Sequence, residues 1–245
     1  MKSALEGAAA NGDRMTEDLP SQIAASQDAE ATGRRKRRKR DPEGTKAKLL
    51  QAAKREFAIE GLEGARVHRI ASRARVNKQL VYHYFSNKEQ LYVAALEDAY
   101  GQFRQRDVVD IENQLPENAI AVLVGSIFDG IVELEDVVAL IVDANRNKGR
   151  HVRESTKIRS LHEPLIRSIH DVLLKGEKLG KFDRNIDPVR FFISVLGMCS
   201  IVISNGYTLS AVLGRDLRDP AEMQAWRAYV VRAAVKSVSK APADA

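Results

Sequence analysis

From Asn77 to Phe85 the chain reads Asn-Lys-Gln-Leu-Val-Tyr-His-Tyr-Phe, a run of residue types that can read a nucleic acid. On a helix beginning after Asn77, Val81 and Phe85 lie four apart and share the inward face. Lys78, Gln79, Leu80, Tyr82 and His83 then point outward. An exposed Leu-Tyr-His cluster on a short basic helix is costly unless it meets a partner. Glutamine can bond an adenine edge bidentately, an apolar side chain can touch a thymine methyl, and Tyr, His and Lys can hold phosphates. The helix N-terminus adds free N–H groups and the positive end of a dipole.

Charge is distributed to match. Residues 1–33 carry two basic and six acidic side chains, whereas residues 34–40 are all basic: Arg34, Arg35, Lys36, Arg37, Arg38, Lys39 and Arg40. Residues 41–92 add ten basic and six acidic groups, and the rest of the chain is close to neutral. A basic block on a near-neutral chain is the electrostatic footprint of nucleic-acid binding. A basic run by itself equally describes a solvated tail, a nonspecific contact or a nuclear signal. Placed directly before the first helix, it reads as an arm that follows the minor groove or the backbone.

Other chemistries find little support. His151, His162 and His170 invite a metal reading, but His162 and His170 are eight apart, about 12 Å along a helix. No i, i+4 ligand pair lies nearby, and neither a glycine-rich phosphate loop nor a nucleophile motif is present, so no metal, cofactor or enzymatic activity is expected. The single cysteine, Cys199, excludes a disulfide framework. The longest apolar stretch, Phe191 to Ile203, is too short for a membrane span of roughly 20 residues, and the first residues have no apolar signal core. The expectation is a soluble protein of the cytoplasm, associated with the nucleoid when bound to DNA, with no membrane partner.

These side chains must be positioned by helices, since no window alternates like a strand. Residues 1–41 have few large apolar side chains and read as a disordered tail. Four helices follow. The first runs from Pro42 or Thr45 to Gly61, and the second from Arg66 to Ala74. The third begins after the N-cap Asn77, and the fourth begins at Ser86, with Ser86 to Glu89 as a capping box. Val76 and Val81 have the spacing of a hydrophobic staple. The fourth helix continues to about Arg106, and longer amphipathic helices are expected over 116–133, 135–147, 155–178, 188–204 and 220–238. The fold class is thus all-α: a helix-turn-helix domain over 42–92, with the motif itself near 66–85, then a helical bundle over 93–240.

Residues 46–92 carry a resemblance. Lys46 to Ala53, Phe57, Gly61, Ile70-Ala71, Val76 and the run from Val81 through Ser86-Asn87-Lys88-Glu89 to Tyr92 resemble the DNA-binding domain of the tetracycline-repressor (TetR) family. Gly176 to Pro188 resembles a phrase common before that family's eighth helix. The resemblance implies that Lys78, Gln79 and Leu80 face bases, that Tyr82 and His83 contact base edges or backbone, and that Lys88 holds a phosphate. It also implies dimerisation through the last two long helices and effector binding inside the C-terminal bundle. Two positions depart from the pattern. Ala65-Arg66 stands where the family has Thr or Ser, a lost cap worth about 1 kcal/mol, although Arg66 can replace the phosphate contact. Arg75 stands where the turn glycine belongs, and a left-handed conformation there costs roughly 1–2 kcal/mol.

The apolar stretch Phe191 to Ile203 and the final helix, with Met223, Trp226, Tyr229 and Val230, are too apolar for a solvent face. Meeting their symmetry mates, they would form a four-helix homodimer interface. Phe103, Phe128, Ile131, Asn145 and His162 are the candidate pocket residues. The function expected is a DNA-binding regulator, a repressor released from double-stranded operator DNA by a small-molecule effector. The alternative is a regulator or chromosome-organising factor of the same fold controlled by a protein partner.

Overall fold

The structure, a computed structural model, describes residues 41–106 and 113–241. The described residues form eleven helices in chain order: α1 Pro42–Gly64, α2 Val67–Ala74, α3 Lys78–Phe85, α4 Lys88–Arg106, α5 Pro116–Glu133, α6 Glu135–Arg146, α7 Arg150–Glu154, α8 Thr156–Lys178, α9 Pro188–Ser204, α10 Gly206–Leu213 and α11 Pro220–Val238. The all-α class is as expected. The tail expected over residues 1–41, basic run included, lies outside the described residues except for Asp41. That residue caps α1, its carboxylate accepting from the Gly44 N–H at 2.9 Å.

Local chemistry explains most helix ends. Asp187 and Asp219 cap α9 and α11 with a proline at the first helical position. Asn77 caps α3 by accepting from the Gln79 N–H at 2.9 Å. The cap of α4 differs from expectation. Ser86 closes α3 with positive φ, and Asn87 is the cap, its side chain accepting from the Gln90 N–H at 2.8 Å. The capping pattern is therefore shifted by one residue. Gly61 breaks α1 at φ 66, ψ 177, and a further turn runs on to Gly64. Two short helices, α7 and α10, lie outside the expected helices, and neither starts on a capping side chain.

Two hydrophobic clusters organise the described chain. The first joins Leu49, Phe57, Ile70, Val81, Phe85 and Tyr92 of α1–α4 to Val137, Leu140 and Ala144 of α6 and Ile158 of α8. The second joins α5, α8, α9 and α11 around Ile120, Ile169, Val195 and Val230. Phe103 packs against both. The boundary expected at residues 92–93 falls inside α4, whose Leu91, Leu96 and Ala99 remain in the first cluster. The phrase Gly176 to Pro188 has a packing reason. Phe182 is buried directly against Gly176, where any Cβ would overlap its ring.

Candidate nucleic-acid interface and ligand cavity

The helix-turn-helix is assembled on a buried carboxylate. Glu56 of α1 is fully buried and accepts from the Arg66 N–H at 3.3 Å, while Arg69 approaches at 3.2 Å and Arg73 at 3.7 Å. Arg69 and Arg73 are one turn apart on α2, so a single anion fixes the position of that helix on α1. Arg75 adopts the left-handed conformation, φ 56 and ψ 43, that tightens the turn into α3.

On α3, Val81 and Phe85 are buried, and Lys78, Gln79, Leu80, Tyr82 and His83 are all exposed. Leu80 is 37% and Tyr82 44% exposed, so nothing within the described chain seals this face. The Lys78 ammonium lies 5.8 Å from the Tyr82 ring centre, and the His83 ring stands edge-on to Tyr84. Arg66 is exposed at the start of α2, without a side-chain cap of its own. Lys88 begins α4 and donates to the carbonyls of Glu63 (3.3 Å) and Ala65 (3.4 Å). An ammonium has three donors, so one remains for a phosphate. Arg34 through Arg40 lie outside the described residues.

A cavity of about 270 Å³ lies among α4, α5, α6, α8 and α9. Of the candidate pocket residues, Phe103, Ile131, Asn145 and His162 line it. Phe128 does not; it is buried in the second cluster and borders a shallow recess with Met223 of α11. The reason is helical phase: Ile127 and Ile131, four apart, face the cavity, and Phe128 is turned about 100° from Ile127. Tyr100 and Arg104 also line the cavity and were missed, although they fall at helical spacing with Phe103. Phe192, Leu196, Ser200 and Ser204, a strict four-residue stripe on α9, were missed as well.

Tyr100 has His162 and Arg104 as polar neighbours in the cavity. Its ring meets that of His162 edge-on at 5.1 Å. The Nδ1–H of His162 donates to the Ile158 carbonyl at 2.9 Å, which leaves Nε2 as the ring's acceptor. Burial lowers the His162 pKa, and the Arg104 guanidinium lowers it further against that hydrogen bond. Burial raises the Tyr100 pKa, with Arg104 opposing. The three histidines are not brought together. His151 is buried against Tyr92, His162 lines the cavity, and His170 is exposed beside Asp171. Among the described residues, no group of three His, Cys, Asp or Glu side chains is placed to hold a metal ion.

One helix touches both sites. Val138, Ile141, Val142 and Asn145 of α6 face the cavity. On another face, Asp143 accepts from the Leu62 N–H at 3.0 Å and the Tyr92 hydroxyl at 2.8 Å. Burial, followed by this hydrogen bond, drives the Tyr92 pKa up, which keeps the hydroxyl a donor. A Cβ at Gly61 would stand 2.6 Å from Asp143, so the glycine admits both the positive φ and the carboxylate. At its start, α6 is tied to the segment after α10 by Arg218, which grips Glu135 at 2.9 and 3.0 Å.

Apolar side chains remain exposed on α9 (Val189, Ile193, Leu196, Ile201), on α10 (Tyr207, Val212, Leu213) and at Tyr229 of α11, where Trp226 stacks on Tyr229. Among the described residues, no single helix is long and apolar enough to cross a membrane.

Comparison with known proteins agrees with this architecture. Residues 49–95 match the family model described as bacterial regulatory proteins, tetR family, and residues 116–234 match that of the tetracyclin repressor-like C-terminal domain. The chain is 28% identical over 197 residues to the HTH-type transcriptional repressor NicS of Pseudomonas putida, covering 80% of this chain and 93% of that protein. It is 55% identical over 58 residues to the HTH-type transcriptional repressor SCO4008 of Streptomyces coelicolor, covering 24% of this chain and 30% of that one. Among solved structures, SCO4942 of Streptomyces coelicolor, described as a transcriptional regulator, superposes with a TM-score of 0.62 at 26% identity, covering 79% of this chain and 98% of that one. FadR of Bacillus subtilis, solved in complex with stearoyl-CoA, has the same fold, with a TM-score of 0.58 at 19% identity over 78% of this chain and 98% of that one.

Proposed function

The chain belongs to the tetracycline-repressor family of DNA-binding transcriptional regulators, and from that premise we propose that it is a homodimeric repressor whose hold on operator DNA is released when a small molecule fills the cavity among α4, α5, α6, α8 and α9. The observation that carries this reading is the double role of α6, which walls the cavity and holds the end of α1 and Tyr92 through Asp143. A ligand that displaces α6 has to move the helix-turn-helix with it, because α1 and α4 are seated on the same carboxylate. The relatives favour this over control by a protein partner or a chromosome-organising role, since both curated proteins compared above are named as transcriptional repressors.

Lys78, Gln79 and Leu80 would face bases, Tyr82 and His83 base edges or backbone, and Arg66, Lys88 and the arm 34–40 phosphates. Regulators of this family form homodimers. The exposed apolar side chains of α9, with Tyr229 of α11, would supply the surface here, and two copies would set two α3 helices for successive major grooves. Its place of work is the cytoplasm, where the operator is.

Selecting bound duplexes from a random pool yields the operator, and the decisive test is affinity for it. Gln79→Ala and Tyr82→Ala should each weaken operator binding by about 1–3 kcal/mol, with binding to unrelated DNA changed far less. Unchanged affinity in both variants would remove α3 as the reading helix.

A further inference from the structure

We propose that α10 is a clasp that seats on the second copy of this chain, and that the partner, by covering Tyr207, fixes the start of α6 through Arg218. This rests on the homodimer reading above and extends it to an element outside the long helices α9 and α11. Helix α10, Gly206–Leu213, begins without a capping side chain and buries only Gly206. Its sequence, Gly-Tyr-Thr-Leu-Ser-Ala-Val-Leu, is largely apolar, yet Val212 is 81%, Tyr207 74% and Leu213 63% exposed. A helix this short is marginal in water by itself, so packing has to stabilise it. Nothing in the described chain covers its outer face, where Val212 and Leu213 leave a contiguous apolar area in water.

The occupant that fits is a second copy. Asn205 alone separates α10 from α9, so these side chains follow directly on the exposed Ile193 and Ile201 of α9. A two-fold interface sets like surfaces against each other, and α10 carries no charge to be repelled in that pairing. Nucleic acids and anionic membranes are attracted by basic groups. Those that follow α10, Arg215 and Arg218, are held within the chain by Glu222 at 2.6 Å and Glu135 at 2.9 Å.

The link to α6 runs through Arg218. Its guanidinium lies 4.6 Å from the centre of the Tyr207 ring and donates to both carboxylate oxygens of Glu135, at 2.9 and 3.0 Å. A Cβ at Gly206 would stand 3.1 Å from the Arg218 stem, so the glycine lets the arginine lie against the start of α10. With the partner over Tyr207, water is withdrawn from the guanidinium and the bidentate pair strengthens. Glu135 opens α6, which also walls the cavity, so seating of the partner and filling of the cavity act on one helix.

The test uses the full chain, with sedimentation equilibrium to give the dimer dissociation constant. Val212→Asp and Leu213→Asp together should raise that constant about a hundredfold, since each carboxylate would have to leave water. Circular dichroism should stay unchanged, because both side chains are exposed. Val212→Cys supplies an independent readout. Cys199 is buried, so a maleimide reacts at position 212, fast in dilute monomer and severalfold slower at concentrations where the dimer forms. Hydrogen exchange at Val138 to Leu140 of α6 should accelerate severalfold in Tyr207→Ala, in Arg218→Gln and in the unaltered chain diluted to monomer. An unchanged dissociation constant in the double variant, a labelling rate independent of protein concentration, or equal α6 exchange in all these samples would each overturn the proposal. So would binding to vesicles of phosphatidylcholine and phosphatidylglycerol that the double variant abolishes, which assigns the face to a membrane. Ile193→Asp on α9 separates the two readings. Loss of the dimer there, with none in the α10 variant, refutes the clasp alone, and a chain monomeric at every concentration refutes the homodimer reading and the clasp with it.

Discussion

Glu56 shows how much one side chain can decide at the scale of the residue. A carboxylate 0% exposed survives in a core only when its charge is compensated, and here Oε1 takes the Arg66 N–H and Arg69 while the Arg73 guanidinium stands 3.7 Å from Oε2. Glu56→Gln retains the shape and discards the charge. Because both arginines are partly exposed, the expected loss is about 1–2 kcal/mol, read by urea unfolding, with a parallel loss of operator affinity as α2 loosens. His162 makes a prediction of its own. Its folded pKa lies below the unfolded value of 6.5. In that window the unfolded chain binds a proton that the folded chain refuses, so the neutral ring's contribution is present above 6.5 and lost as pH falls. His162→Phe should flatten the decline in melting temperature between about pH 7 and about pH 5; an unchanged slope would place the titrating group elsewhere.

At the scale of the element, α6 is the part that connects. Its Val138, Ile141, Val142 and Asn145 repeat at helical spacing and make one face, and Asp143 stands on another, so a single helix touches both the cavity and the end of α1. Asp143→Ala removes the acceptor from the Leu62 N–H. Hydrogen exchange there should accelerate, and the melting temperature should fall with the loss of about 1–3 kcal/mol. Tyr92→Phe deletes the other bond alone and should cost about 1 kcal/mol while leaving exchange at Leu62 near its original rate. If Leu62 exchanges equally fast in all three proteins, Asp143 does not hold the end of α1.

At the scale of the whole molecule, electrostatics divides the labour. Residues 34–40 supply seven positive charges immediately before the helix-turn-helix, and α3 is the helix proposed to distinguish bases. Deleting 34–40 should weaken binding similarly on operator and unrelated DNA. The slope of log K against log salt should flatten by at most about six units, one counterion being released for each phosphate neutralised. Equal slopes for the full and shortened chains would show that the arm makes no phosphate contact. The exposed apolar side chains of α9 and Tyr229 of α11 belong to this scale too, since a dimer doubles every DNA contact across a palindrome.

The amino-acid sequence alone determined the all-α class, the limits of the long helices and the split of α3 into buried and exposed side chains, because each follows from spacing within one helix and from caps a few residues away. Gly61, Asn77, Asp187 and Asp219 act on their own neighbours, and such signals are local. The shift of the α4 cap from Ser86 to Asn87 was beyond that reach, since it turned on a positive φ at Ser86. Tertiary structure alone decided which faces of five helices enclose a cavity, turned Phe128 away from it while Arg104 and Tyr100 line it, and brought Glu56 to α2 and Asp143 to Leu62 and Tyr92. Leu62 and Asp143 are 81 residues apart, and no periodicity encodes a contact made by the relative rotation of packed helices.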